Sequence, residues 1–145
     1  MGMDLKTVMD KRVRELVLIN EVKTLWPDSP ISSATEIFRK HKVGSIVIVE
    51  NGRPVGIFTE RDYVTKIAGQ QYDDEVETIE SFMTPHPQSV TLDDPIGKVL
   101  LKMRMGKFRH MIVVDNDGNL KNIISIKDVM DFLLDTAAEQ SSSAA

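Results

Sequence analysis

Gly56-Ile57-Phe58-Thr59-Glu60-Arg61-Asp62 decides the fold, because it returns as Asn122-Ile123-Ile124-Ser125-Ile126-Lys127-Asp128. In each copy, apolar residues suited to a strand lead into a hydroxyl residue. An aspartate follows three residues later, at the head of a helical pattern. The simplest explanation is a capping box, in which the hydroxyl caps a helix and the acid at the third position reaches back to the cap's own N–H. A second explanation adds a ligand: the aspartate holds the two hydroxyls of a ribose, while the hydroxyl residue and the free helical N–H groups face a phosphate. Both can hold together, since a capped helix start is still electropositive.

The surroundings of this stretch repeat as well. Asp28-Ser29-Pro30-Ile31 returns as Asp93-Asp94-Pro95-Ile96 at an offset of 65, whereas Thr59 and Asp62 return as Ser125 and Asp128 at an offset of 66. One residue is therefore inserted in the second hairpin turn. Agreement across helix, strand, turn, strand and helix is much stronger than any single motif. In the first copy a helix opens at Ser29 with Pro30 just inside it, carries Ile31, Ala34, Ile37 and Phe38 on one stripe, and ends at Lys40-His41-Lys42. Ser45 to Val49 suits a buried strand, Asn51-Gly52 a tight hairpin turn, and Pro54 to Thr59 the partner strand. Arg61 to Ala68 then reads as a helix with Val64 and Ile67 inward, closed by Gly69. The second copy reads the same way: a helix from Asp94-Pro95 with Ile96, Val99, Leu100 and Met103 inward, a strand Met111 to Val114, and a turn at Asn116-Asp117-Gly118. A strand Asn122 to Ser125 and a helix from Lys127 with Val129, Phe132 and Leu133 complete it.

Outside the repeats, residues 3–18 carry Leu5, Val8, Met9, Val13, Leu16 and Val17 among charges, a spacing that predicts an amphipathic helix capped by Asp4. That helix belongs to neither repeat and suits covering an edge or meeting a partner chain. Ile19 to Leu25 is expected to be extended. Residues 70–80, with Asp73, Asp74, Glu75, Glu77 and Glu80, form a solvated connector, and the Ser141 to Ala145 tail is expected to be disordered.

With 145 residues the chain can build one ordinary core or two small ones that share it. A net charge of −4 argues against nucleic acid as the main partner, because phosphate neutralisation needs a basic face. The absence of cysteine excludes disulfides, thiolate metal sites and cysteine nucleophiles. No apolar run approaches the roughly 20 residues of a membrane span, and no secretory leader is legible, so no membrane partner and a cytoplasmic location are expected. His41, His86 and His110 lack zinc spacing, and Asp115-Asn116-Asp117-Gly118-Asn119 misplaces the glycine and the final acid of a calcium loop. No metal site, catalytic cofactor or catalytic constellation is found, so the expectation is a binding protein and not an enzyme.

The tandem order, with a Gly-apolar-apolar-(Ser/Thr)-x-x-Asp signature closing each copy, resembles a pair of cystathionine β-synthase (CBS) domains, also called a Bateman module, over about residues 17–136. The first signature fits fully; in the second, Asn122 replaces glycine. The resemblance implies a mixed α+β fold of two βαββα repeats related by a pseudo-twofold axis, with ligand clefts between them. The division it suggests is an arm over 1–16, repeats over 17–69 and 82–136, a connector over 70–81, and a tail over 137–145. It also implies a stand-alone sensor of adenosine-containing ligands (AMP, ADP, ATP or NAD type) without catalysis. On that basis the ribose aspartates fall on Asp62 and Asp128, the hydroxyl positions on Thr59 and Ser125, and the adenine-packing positions on Ile57 and Ile123, with Ile46 and Met111 on the facing strands. Arg109 and His110 match a basic pair over the phosphates, where the first copy has only Gly44 and Ser45. One anionic ligand held well, by Asp62 and Thr59 with Arg109 and His110 from the other repeat, and a weaker second site follow from that asymmetry. His110 would add charge below about pH 6.5. Arg61 either reaches the same phosphate or pairs with Glu60 or Asp62, and Thr84 either approaches the first ligand or is a plain turn residue. A homodimer through the helices at 60–69 and 127–136 is expected, with an unknown regulated protein as a further partner. The alternative from another class is a ligand-independent dimerisation or scaffold module whose signature residues serve only as caps.

Overall fold

The computed structural model describes residues 4–16 and 21–143. In chain order the elements are α1 (Leu5–Met9), β1 (Thr24–Leu25), α2 (Ile31–Lys40), β2 (Ser45–Glu50), β3 (Arg53–Thr59) and α3 (Glu60–Asp62), which continues as a π-helical turn over Tyr63–Ile67. Then follow β4 (Thr84–Pro85), β5 (Ser89–Val90), α4 (Ile96–Gly106), β6 (His110–Val114), β7 (Leu120–Ser125) and α5 (Ile126–Ser143). Two compact units form, and their boundary does not follow the sequence repeats. One, the Thr59 unit, holds residues 21–88 with 118–120; the other, the Ser125 unit, holds the N-terminal segment, 89–117 and the chain from Lys121 onward.

The Thr59 unit has a four-stranded sheet in the order β1-β2-β3-β4. β1 runs parallel to β2, while β2 and β3 form an antiparallel hairpin with Ser45 opposite Thr59. Asn51 and Gly52, with φ of 54° and 78°, make the left-handed two-residue turn that matches strand twist. β4 adds to the far edge, with Thr84 opposite Ile57. Ile31, Ala34, Ile46, Ile48, Phe58, Ile67, Ile79 and Phe82 build the core. Two expectations change here. Val64 is 66% exposed, because the π turn, closed by Ala68 N–H on the Tyr63 carbonyl at 2.9 Å, directs Tyr63 and Ile67 inward instead. The acidic connector is exposed through Val76 and again at Glu80, but Ile79 between them is fully buried, and its N–H donates to the Ser29 carbonyl at 2.8 Å.

The Ser125 unit has a sheet in the order β5-β6-β7, with β5 parallel to β6. Val90, Ile96, Val99, Met103, Met111, Val113, Ile124 and Val129 form its core together with Val13 and Leu16 from the N-terminal segment. The single helix expected over 3–18 is therefore broken. Asp4 does cap α1, accepting from Lys6 N–H at 3.3 Å, but α1 ends at Met9. The chain then forms a bridge between Arg12 and Pro95, and Val13 N–H donates to the Asp94 carbonyl at 2.9 Å. Those bonds replace helical ones and let Val13 and Leu16 reach the core. The parts of that expectation on residues 3, 17 and 18, and of the extended stretch on Ile19 and Asn20, lie outside the described residues. α5 runs through Ser143, beyond the expected end at 136, because Ala137-Ala138-Glu139 favour helix; Ala144 and Ala145 lie outside the described residues.

The two units are built alike. Val13 and Ile79 differ by 66 positions, and each begins a 3-10 turn whose first N–H donates to the residue before the proline that caps α4 or α2. Each repeat's leading turn thus packs in the unit of the other repeat. Pro30 and Pro95 occupy the cap positions themselves, one residue earlier than the reading that put Pro30 inside the helix. Ser29 Oγ and an Asp94 carboxylate oxygen accept instead from Trp26 and Thr91 N–H, at 3.0 and 2.8 Å.

Candidate ligand-binding corners

In each unit a strand ends at a hydroxyl residue that starts the following helix. Thr59 N–H donates to Asp62 Oδ2 at 3.0 Å, and Asp62 N–H donates to Thr59 Oγ1 at 3.1 Å. Ser125 N–H donates to Asp128 Oδ2 at 2.8 Å, and Asp128 N–H donates to Ser125 Oγ at 3.1 Å. Both capping boxes are complete, and each uses one carboxylate oxygen. At the Thr59 corner the other oxygen lies 3.4 Å from Lys66 Nζ, which also donates to the Phe82 carbonyl at 2.8 Å. The residue equivalent to Lys66 beside Asp128 is Phe132, which packs against the core. Sequence reading passed over Lys66; its signal was the (i, i+4) spacing from Asp62.

Each helix start is also tied to the head of the neighbouring strand. Glu60 N–H donates to the Gly44 carbonyl at 3.1 Å, and Ile126 N–H to the Arg109 carbonyl at 2.9 Å. The second bond sets Arg109 and His110 beside the Ser125–Asp128 corner. Arg109 is exposed and carries the positive charge there. His110 takes up its charge at a lower pH than an ordinary imidazole. Burial lowers its pKa from the ordinary 6.5, the Arg109 guanidinium lowers it further, and the opposing pull of Asp128 does not restore it.

The candidate residues fall into two groups. Ile57, Thr59, Arg61, Asp62 and Thr84 belong to the Thr59 unit; Arg109, His110, Ile123, Ser125 and Asp128 belong to the Ser125 unit. Ile57 is half-buried beside Thr84, which is an exposed edge-strand residue and not part of a plain turn. Arg61 is exposed on the first turn of α3. Ile46 and Met111 are fully buried in the two cores and present no surface to a ligand in this structure. Gly56 has a packing role that the motif did not reveal. The Met83 thioether lies over it, with the Met83 Cγ 2.9 Å from where a Cβ would stand and the sulfur closer still. Among the described residues no group of acids and histidines fits a metal ion, and no helix is long and apolar enough to cross a membrane.

The family model described as CBS domain matches residues 6–69 and 77–135, and the chain belongs to that family. Its first match starts at residue 6 and so takes in the leading turn. An uncharacterized 17.7 kDa protein of Acidianus ambivalens is 32% identical over 125 residues, covering 86% of this chain and 74% of that one. The chain spans only about a fifth of the length of the CBS domain-containing proteins of Arabidopsis thaliana that it also matches. A CBS domain protein of Pyrobaculum aerophilum, solved in complex with AMP, is 28% identical with a TM-score of 0.73, over 81% of this chain and 89% of that one. The CBS domain pair of protein MJ0100, in complex with 5′-methylthioadenosine and S-adenosyl-L-methionine, is 25% identical with a TM-score of 0.75, over 87% and 98%.

Proposed function

We propose that the chain is a regulatory module that binds an adenosine-containing ligand of the AMP, ADP, ATP or NAD type and signals its occupancy, without catalysing a reaction. The observation that carries this reading is the pair of equivalent corners, each holding an aspartate by one oxygen at an electropositive helix start. A carboxylate there has acceptor capacity left for a ribose diol, and Arg109 beside Ser125 offers a planar fork of donors to a phosphate. The relatives solved with AMP and with S-adenosyl-L-methionine support it, because those ligands share adenosine and differ in what the ribose carries. Ligand acts through unequal affinity for two states of the module or its assembly. That assembly is a homodimer: Ile126, Met130 and Leu134 form an exposed stripe at (i, i+4) spacing along α5, and Val64 is exposed beyond α3.

The completeness of both capping boxes favours a second reading, a ligand-independent dimerisation or scaffold module in which Asp62 and Asp128 only cap. Thermal melting with AMP, ATP and NAD separates the two: a ligand at 100 times its Kd stabilises the native state by about 2.7 kcal/mol, and a pure scaffold does not shift. Calorimetric titration then assigns the groups. Arg109→Ala should weaken AMP by roughly 10- to 150-fold and adenosine far less, the scale of a lost charge-assisted bond. Asp62→Ala and Asp128→Ala, measured separately, should weaken both ligands at the corner each serves. Equal loss of AMP and adenosine in Arg109→Ala would remove the phosphate assignment.

A further inference from the structure

We propose, on the basis of that ligand reading, that the Thr59 corner reports the charge of its ligand, and that Lys66 carries the report to the connector. Asp62 has two carboxylate oxygens, and both are in use. Oδ2 accepts from Thr59 N–H at 3.0 Å and fixes the cap, whereas Oδ1 lies 3.4 Å from Lys66 Nζ. The same ammonium donates to the Phe82 carbonyl at 2.8 Å. It is thus shared between the residue that would hold a ribose and the 3-10 turn that ends the connector. Phe82 is buried and anchors more than itself. Its ring meets that of Tyr72 edge-on, with centroids 4.9 Å apart. Its N–H and that of Met83 donate to the Ile79 carbonyl at 3.0 and 2.9 Å. Further back in the connector, the Asp74 and Glu77 carbonyls each accept at 3.0 Å from N–H groups at the start of α2, those of Ser32 and Ile31. From Ile67 to Gly97 there is no lysine or arginine, so the connector brings no cation of its own.

One ammonium shared in this way has two arrangements, and ligands of different charge select between them. The diol of a neutral nucleoside takes Asp62 Oδ1 and leaves the ammonium on the Phe82 carbonyl. A nucleotide takes the same oxygen but also offers the ammonium a multiply charged anion, which the flexible lysine stem lets it follow. The ammonium then leaves Phe82, whose carbonyl loses a charge-assisted donor. Nucleoside and nucleotide therefore bind one aspartate and give different signals at the connector. The Ser125 corner lacks this arrangement. Phe132 stands where Lys66 would be, and Leu16, 66 positions before Phe82, sits in the leading turn of that unit as an apolar core residue.

Amide hydrogen exchange on the full-length chain, read by mass spectrometry, tests this with AMP and with adenosine, each at a concentration that calorimetry shows to be saturating. Binding ordinarily slows exchange, so the sign of the change decides. With AMP, exchange over Ile79 to Met83 should become roughly tenfold faster, the scale of a lost charge-assisted bond. With adenosine it should not rise. Lys66→Met should exchange as fast without ligand and gain nothing further from AMP. Val13 to Leu16, the equivalent turn of the other unit, should not quicken in any of these samples. A chain that binds AMP with no rise over Ile79 to Met83 overturns the proposal, since Lys66 then stays in place and Arg61 or water meets the phosphate. Lys66→Met exchanging at the wild-type rate without ligand overturns it too. An absence of any AMP binding in the calorimetry is a different failure, that of the ligand reading itself, and the proposal falls with it.

Discussion

At the Thr59 corner, the aspartate of the capping box has Lys66 one turn along the helix and Gly44 and Ser45 at the head of the adjoining strand. At the Ser125 corner the same positions hold Phe132, Arg109 and His110. The caps themselves are nearly identical, with bonds of 3.0 and 3.1 Å in one and 2.8 and 3.1 Å in the other. What the corners share is what any strand-to-helix junction needs, namely satisfied N–H groups at the helix start. What they do not share is charge: one aspartate is neutralised by a lysine on its own helix, and the other has a cation on a different element. A polar ligand would meet two different environments mounted on one backbone device.

The largest expected effect tests the packing beneath that device. Gly56→Val drives a side chain into Met83, and overpacking of this kind costs about 1–3 kcal/mol. Asn122→Val, at the equivalent position, gives up the bond that Asn122 Oδ1 accepts from Ile123 N–H at 2.7 Å, about 0.5–1.5 kcal/mol. Urea denaturation of both variants, and of Gly56→Val combined with Met83→Ala, makes the comparison. If Gly56→Val costs no more than Asn122→Val, the glycine has no packing role. Next come the caps. Thr59→Ala and Ser125→Ala should each cost about 0.5–2 kcal/mol, and by nearly the same amount. A clear inequality would show that the two boxes, equal in geometry, are unequal in solution.

Much of this was legible in the sequence. The hairpin at Asn51-Gly52, both capping boxes and the helices that follow them are local features, and local chemistry specifies them. The leading turns were not legible. The pattern over residues 3–18 has a good helical period, yet Val13 and Leu16 serve a core whose other members lie beyond residue 89, and backbone bonds to Leu92 and Asp94 prevail over helical propensity. Ile79 was lost in the same way, as one apolar residue among acids. The role of Gly56 needed Met83, a residue 27 positions away whose placement depends on the pairing of β3 with β4.

His110 gives the comparison a pH dependence, since the Thr59 corner has Ser45 in its place. Its folded pKa lies below the unfolded value of 6.5, so between the two values the unfolded chain binds a proton that the native chain does not. Stability should therefore rise with pH through that window, be complete above about 6.5, and fall on acidification. His110→Gln should flatten this slope in melts taken across the window, whereas Ser45→Ala should leave it unchanged. An unaltered slope in His110→Gln would place the titration elsewhere.

The smallest effect is the most direct probe of the corners' difference. Lys66 and Asp62 form an (i, i+4) pair at 3.4 Å on a partly exposed surface, and such pairs contribute about 0.3–0.5 kcal/mol. A ribose that takes the same carboxylate must displace the lysine. Lys66→Met should therefore raise adenosine affinity at the Thr59 corner about twofold, the free energy of the ion pair read as binding, while the stability of the variant also loses the bond to the Phe82 carbonyl. Phe132→Met, its counterpart, should leave adenosine unchanged. AMP distinguishes a competitor from a ligand group. If Lys66 only competes for Asp62, AMP gains as adenosine does. If the ammonium leaves Asp62 for the phosphate, AMP loses affinity while adenosine gains, and the Thr59 corner then has a cation of its own, held in reserve on the aspartate until an anionic ligand arrives.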